Sequence, residues 1–108
     1  MELVTEIYRL TEAFPKREWY GLTAQMRRAA ISIPANIAEG RGRCTTKEYA
    51  RFVAIAIGSL RELETYCELS QLLQYTTAEK LQAIQSLVNK IGPMLGGLRS
   101  ALKSSDSQ

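Results

Sequence analysis

One stretch in the middle of the chain, from Thr45 to about Tyr75, carries apolar side chains along two faces at once. Tyr49, Val53, Ala56, Leu60, Leu63 and Cys67 keep the three-or-four spacing of one side of an α-helix. Phe52, Ile55, Tyr66, Leu69 and Leu73 keep that of a second side. At 1.5 Å per residue such a helix reaches about 40 Å. One apolar stripe can be hidden against one neighbour, but two stripes need two. The stretch therefore demands either a central place among other helices or a second copy of the chain against it. Thr45-Thr46-Lys47-Glu48 opens it as a capping-box pattern, a hydroxyl and a carboxylate placed to serve free amides of the first turn.

The remaining segments supply helical neighbours. Leu3, Ile7, Leu10 and Phe14 form one face of a first helix over Glu2 to Phe14, which Pro15 ends by removing a donor and disfavouring helical geometry before it. After a turn through Lys16 to Gly21, the residues Leu22, Met26, Ala29, Ile33 and Ile37 mark a second helix. Pro34 lies inside it, and since the apolar register survives across the proline, the pattern predicts a kink rather than a break. Gly40 and Gly42 punctuate its end. Thr76-Thr77-Ala78-Glu79 is a second capping box, followed by Leu81, Ile84, Val88, Ile91, Leu95, Leu98 and Leu102 in a clean heptad. Gly92-Pro93 should bend this last helix and Gly96-Gly97 loosen its end. No strand-like alternation, repeat or interdomain linker interrupts the series. Short turns between four helices predict an all-α, antiparallel up-down-up-down four-helix bundle with a Pro-kinked second helix, assembling as a ring-like homo-oligomer. The bundle forms a single domain over residues 1–103, with a polar tail at 104–108.

Composition removes most catalytic chemistry. The chain has 108 residues, 45% of them hydrophobic, which is enough for one packed domain and too few for a separate catalytic one. It has no histidine, the commonest general base and metal ligand, and its only aspartate is Asp106 in the tail. Glu62, Glu64 and Glu68 cluster on the third helix, but a di-metal carboxylate bundle draws an ExxH pair from each of two helices, so no metal is expected. Two cysteines, Cys44 beside a turn and Cys67 on an apolar face, make neither a CxxC pair nor a disulfide framework. No enzyme activity and no cofactor are expected. Charges interrupt every apolar run well short of a membrane span, and no signal peptide opens the chain, so no membrane partner is expected and the anticipated compartment is the cytoplasm.

The net charge of +3 is distributed unevenly. Residues 16–51 hold eight cations against three carboxylates, and the rest holds six against eight. A basic half can attract a polyanion or simply form the solvated rim of a bundle. Gly40-Arg41-Gly42-Arg43 has neither the preceding strand nor the GK[ST] ending of a phosphate-cradling loop, yet its guanidinium groups suit a phosphate backbone. Arg27, Arg28, Arg41, Arg43, Lys47 and Arg51 are the nucleic-acid-binding candidates. A polar stripe on the second helix, from Arg28 through Ser32 and Asn36 to Glu39 and Arg43, ordinarily faces water. A sharper alternative joins Arg28, Asn36 and Glu39 to Arg61, Glu62 and Glu64 in a network that fixes how helices or subunits register. Asn36, just past Pro34, could also satisfy a carbonyl that the proline frees. Trp19 and Tyr20 are placed to close a bundle end.

Phe14-Pro15, Glu18 with Tyr20-Gly21-Leu22-Thr23, and Gln25-Met26-Arg27-Arg28-Ala29-Ala30 lead into Ser32-Ile33-Pro34-Ala35-Asn36-Ile37-Ala38-Glu39-Gly40. Gly58-Ser59-Leu60 and Glu62-Leu63-Glu64-Thr65 follow. Together they resemble the four helix bundle protein family, first noticed as reading frames within intervening sequences of bacterial 23S ribosomal RNA genes. The resemblance implies an up-down bundle assembled as a homopentamer around a central channel. It also suggests a distant architectural likeness to the accessory protein of diversity-generating retroelements, a basic pentamer that binds nucleic acid and a reverse transcriptase. Relative to the family's usual N-terminal extension, the first helix is expected to be short by about two turns. The functional expectation is a non-enzymatic homo-oligomer that binds structured RNA or DNA through residues 16–51. A scaffold for another protein, without nucleic acid, is the alternative.

Overall fold

The computed structural model describes residues 2–106. They form four helices, α1 (Glu2–Glu12), α2 (Leu22–Arg41), α3 (Thr46–Leu72) and α4 (Ala78–Asp106), with a 3-10 turn at Lys16–Glu18 and no strand among the described residues. Each long helix has two neighbours: α3 packs on α2 and α4, and α1 packs on the other side of the same pair. Ile7, Met26, Ala29, Ala30, Val53, Ala56, Leu60 and Leu63 are fully excluded from water. All but Val53 belong to the one cluster in which the four apolar stripes meet, and burying a Leu or Ile side chain stabilises the fold by about 1.5–3 kcal/mol.

The molecule is a rod of 50 × 24 × 19 Å. With 11 residues α1 spans about 16 Å, whereas α3 and α4, with 27 and 29, reach about 40 Å. One end of the rod therefore has four helices and the other three. Across the α2–α3 seam, Met26 meets Ser70, Arg28 meets Glu62, Ser32 meets Ser59, and Gly40 meets Tyr49 and Phe52. The Leu60 side chain reaches Gly92 on α4.

Local chemistry explains the helix ends. The Thr45 hydroxyl accepts from the Glu48 amide at 3.1 Å, the hydroxyl half of the capping box, while the Glu48 carboxylate is held by Arg51. At α4 the capping hydroxyl belongs to Thr77, which accepts from Lys80 N at 3.3 Å. Thr76 is instead buried, its hydroxyl without a hydrogen-bond partner among the described residues. The third helix ends at Leu72, short of Tyr75, because Gln74 takes a left-handed conformation (φ 63°). Tyr75 N then donates to Ser70 O at 2.9 Å and Gln74 N to Gln71 O at 3.0 Å, a Schellman closure made without glycine. Gly40, read from the sequence as punctuation, lies buried inside α2, and neither it nor Gly42 has a positive φ. Its role is close approach, since a methyl group there would sit 2.8 Å from both Phe52 Cβ and Tyr49 Cδ1. In α4 the helix runs through Gly92-Pro93 and Gly96-Gly97 and on to Asp106, so residues 104–106 of the expected tail are helical. Residues 107–108 lie outside the described residues.

The four-helix end is closed by Tyr75 rather than Tyr20, which is 91% exposed. The Tyr75 ring packs against Phe14 at 5.5 Å, and its hydroxyl donates to Glu18 Oε2 at 2.8 Å. The other oxygen of Glu18 accepts from Leu22 N at 3.1 Å, capping α2 from four residues upstream. The hydrogen bond from Tyr75, then the Leu22 amide and the Arg17 charge, hold the Glu18 carboxyl below its ordinary 4.5. A depressed folded-state pKa gives stability that is present above the unfolded value and lost as pH falls through the folded one. Thermal melts from pH 7 downward should therefore show wild type losing stability below about pH 4.5, with Glu18→Gln losing less over that window. Parallel pH profiles for the two proteins would remove this role.

Candidate nucleic-acid interface

The basic residues read from the sequence divide into two groups. Arg27 lies across to α1: its Nε donates to Thr11 Oγ1 at 2.9 Å, and its guanidinium lies 4.3 Å from the Tyr8 ring centroid and 5.1 Å from that of Trp19. It ties α1 to α2 and is committed to the fold. Arg28 donates to Gln25 on its own helix at 3.1 Å and across the seam to Glu62 Oε1 at 3.0 Å. The Tyr66 hydroxyl donates to the other Glu62 oxygen at 3.4 Å.

The remaining four stand at the three-helix end. Arg41, Arg43 and Lys47 are exposed around the α2–α3 turn. Arg43 pairs with Glu39, and Arg51 with Glu48 at 2.9 Å, while Arg41 and Lys47 have no ion-pair partner among the described residues. Both the Arg43 and Arg51 guanidinium groups also lie against the Phe52 ring, 5.0 and 4.7 Å from its centroid. Such contacts hold the two groups in place while leaving their outer edges wet. Two cations that sequence reasoning missed join them: Arg99 and Lys103 of α4 line one cavity with Lys47 and Arg51. Charge counting along the chain had put both in the acidic remainder. The available signal was geometric, because a hairpin of two long helices returns the end of α4 to the start of α3.

The polar stripe is likewise divided. Arg28 and Glu62 meet, and Ser32 and Ser59 share a 2.8 Å hydrogen bond beside them. Asn36 donates to Ser32 O at 2.8 Å and to Ser32 Oγ at 2.9 Å. The carbonyl it serves is therefore its own i−4 partner, not the one on Ala30 that Pro34 leaves without an amide. Glu39 pairs with Arg43, and Arg61 with Glu64 at 2.9 Å, each along its own helix and away from the seam. Arg28 and Glu62 remain 53% and 41% exposed, so their pair contributes at most about 1 kcal/mol.

No group of three or more His, Cys, Asp or Glu stands close enough to hold a metal ion among the described residues. Burial, with the nearby Glu64 charge, pushes the Cys67 thiol up to about 11, which keeps it protonated and unreactive at neutral pH. Cys44 is exposed and unpaired in a disulfide. No described helix is long and apolar enough to cross a membrane.

The family model described as 23S rRNA-intervening sequence protein matches residues 1–97, from α1 well into α4. No curated protein matches the chain.

Proposed function

The chain belongs to the 23S rRNA-intervening sequence protein family, and from that premise we propose that it is a non-enzymatic, cytoplasmic homopentamer that contacts structured RNA through its basic end. Each protomer is an up-down-up-down bundle, bent at Pro34, within a ring. The observation that carries the nucleic-acid reading is the gathering of Arg41, Arg43, Lys47, Arg51, Arg99 and Lys103 around the three-helix end. Repetition of that end around a ring multiplies phosphate contacts, and each contact releases counterions and steepens the salt dependence. Recognition then rests on shape and charge, with little reading of base edges.

The ring itself is supported by apolar surface that one protomer leaves wet. The second face of α3 is half hidden, with Phe52 buried and Tyr66 packed against the core. Ile55, Leu69 and Leu73 remain 40–46% exposed, and Leu72 beside them 79%. Ile55 and Leu69 stand two heptads apart and so lie on one side of the helix. This surface equally favours a scaffold that docks another protein, and that second reading differs in needing no polyanion.

Filter binding of a structured RNA at 50 and 200 mM salt tests the first reading. Binding at low salt should weaken at least tenfold at the higher concentration. Absence of binding at low salt, or indifference to salt, would refute it in favour of the scaffold.

A further inference from the structure

We infer that the cavity between the first turns of α3 and the last turns of α4 seats a single unpaired nucleotide of the bound RNA, its phosphate held by Arg99, Lys103, Arg51 and Lys47. The inference rests on the nucleic-acid reading above and says where a base goes. The cavity has a volume of about 520 Å³, within the range of small-ligand sites. Its rim carries four cations against one carboxylate, Glu48. The hydrogen bond and charge of Arg51 hold the Glu48 carboxyl below its ordinary value, so it stays ionised, offsets one cation and leaves the rim positive.

The floor is apolar. Ala50 and Ala54, one helical turn apart, leave the surface of α3 open where larger side chains would fill it. A hydrated inorganic anion gains nothing from an alanine floor, whereas a flat ring attached to a phosphate does. Arg99 gives a second reason. Its Nε is buried from water and has no hydrogen-bond partner among the described residues. A guanidinium N–H in that state lacks an acceptor; a shift of the Arg99 side chain toward the cavity lets an anionic oxygen there supply one. A base held in a duplex cannot present its face to such a floor, so the occupant is a bulged or single-stranded nucleotide.

The test compares a hairpin RNA carrying a single-nucleotide bulge with the same hairpin lacking it, against the full chain and two variants. Ala54→Leu fills the floor without altering charge, and Arg99→Gln/Lys103→Gln removes the phosphate contacts; unchanged circular dichroism confirms folding. Ala54→Leu should weaken the bulged RNA about tenfold and leave the other unchanged. The double variant should lower the log–log salt slope by about 0.7 for each cation removed. Arg Nε–Hε resonances followed by NMR provide a measurement independent of RNA. Uridine monophosphate should shift that of Arg99 saturably in wild type and not in Ala54→Leu, with inorganic phosphate much weaker. If wild type binds neither RNA yet the mononucleotide behaves in this way, the RNA reading falls and the nucleotide seat stands. If both RNAs bind but Ala54→Leu affects neither, the seat is overturned while the RNA reading stands. Equal shifts from inorganic phosphate, or a change of oligomeric mass in Ala54→Leu, would also overturn it, the first in favour of a bare anion site and the second in favour of an acidic surface of a neighbouring copy.

Discussion

Leu60→Ala should lower the unfolding free energy by about 3 kcal/mol. Leu60 is fully buried in α3, inside the cluster shared by all four helices, and its tip reaches Gly92 of α4. Truncation removes three carbons from the core and leaves a cavity that two long, rigid helices cannot collapse to fill. Leu-to-Ala changes of this kind cost about 2–5 kcal/mol. In a domain whose total stability is about 5–15 kcal/mol, that is a large fraction. Urea titration followed by circular dichroism reads it directly as a lower midpoint at an unchanged slope. A loss under 1 kcal/mol would show that the four stripes do not meet at this residue.

The second large effect has an unexpected sign. Glycine to alanine inside a helix ordinarily stabilises, by roughly 1 kcal/mol. Gly40→Ala should instead destabilise by about 2 kcal/mol, because the added methyl would lie 2.8 Å from Phe52 Cβ and Tyr49 Cδ1 and 3.3 Å from the Tyr49 carbonyl oxygen. Two of those three atoms are rooted close to the α3 backbone and cannot swing aside, so the helices must separate. The separation would also displace Phe52, and with it the Arg43 and Arg51 guanidinium groups that rest on its ring. Gly97→Ala is the contrasting case: its methyl would meet nothing within 4 Å and should show the ordinary stabilising sign. Thermal melts of the two variants should move in opposite directions, and movement in the same direction would contradict the close-approach role of Gly40.

Helix periodicity made the fold legible. The stripes Leu3–Ile7, Leu22–Met26–Ala29–Ile33, Val53–Ala56–Leu60–Leu63 and Leu81–Ile84–Val88 are buried because a 3.6-residue period leaves little choice about which side faces inward. What the pattern could not show depends on tertiary proximity. Gly40 looked like a helix stop because glycine is usual at such stops, whereas here it is needed for the approach of α3. Gln74 looked helical because nothing in a glutamine announces a left-handed conformation. Thr76 and Thr77 are neighbouring hydroxyls, and only the entry angle of α4 decides which one caps it. At the candidate interface, local charge density found Arg41, Arg43, Lys47 and Arg51. It also included Arg27 and Arg28, whose partners Thr11 and Glu62 lie 16 and 34 residues away in sequence. It omitted Arg99 and Lys103, which only the return of α4 brings to α3.

The claim on which the functional reading depends is that Ile55, Leu69, Leu72 and Leu73 are covered by other copies of the chain, so that the basic ends act together. Sedimentation equilibrium of the full chain at micromolar concentration tests it most directly. The expected result is one discrete species at five times the 12.1 kDa protomer. A stable species of 12.1 kDa under those conditions, with the leucine face of α3 left in water, would contradict the ring and the pooled charge that follows from it.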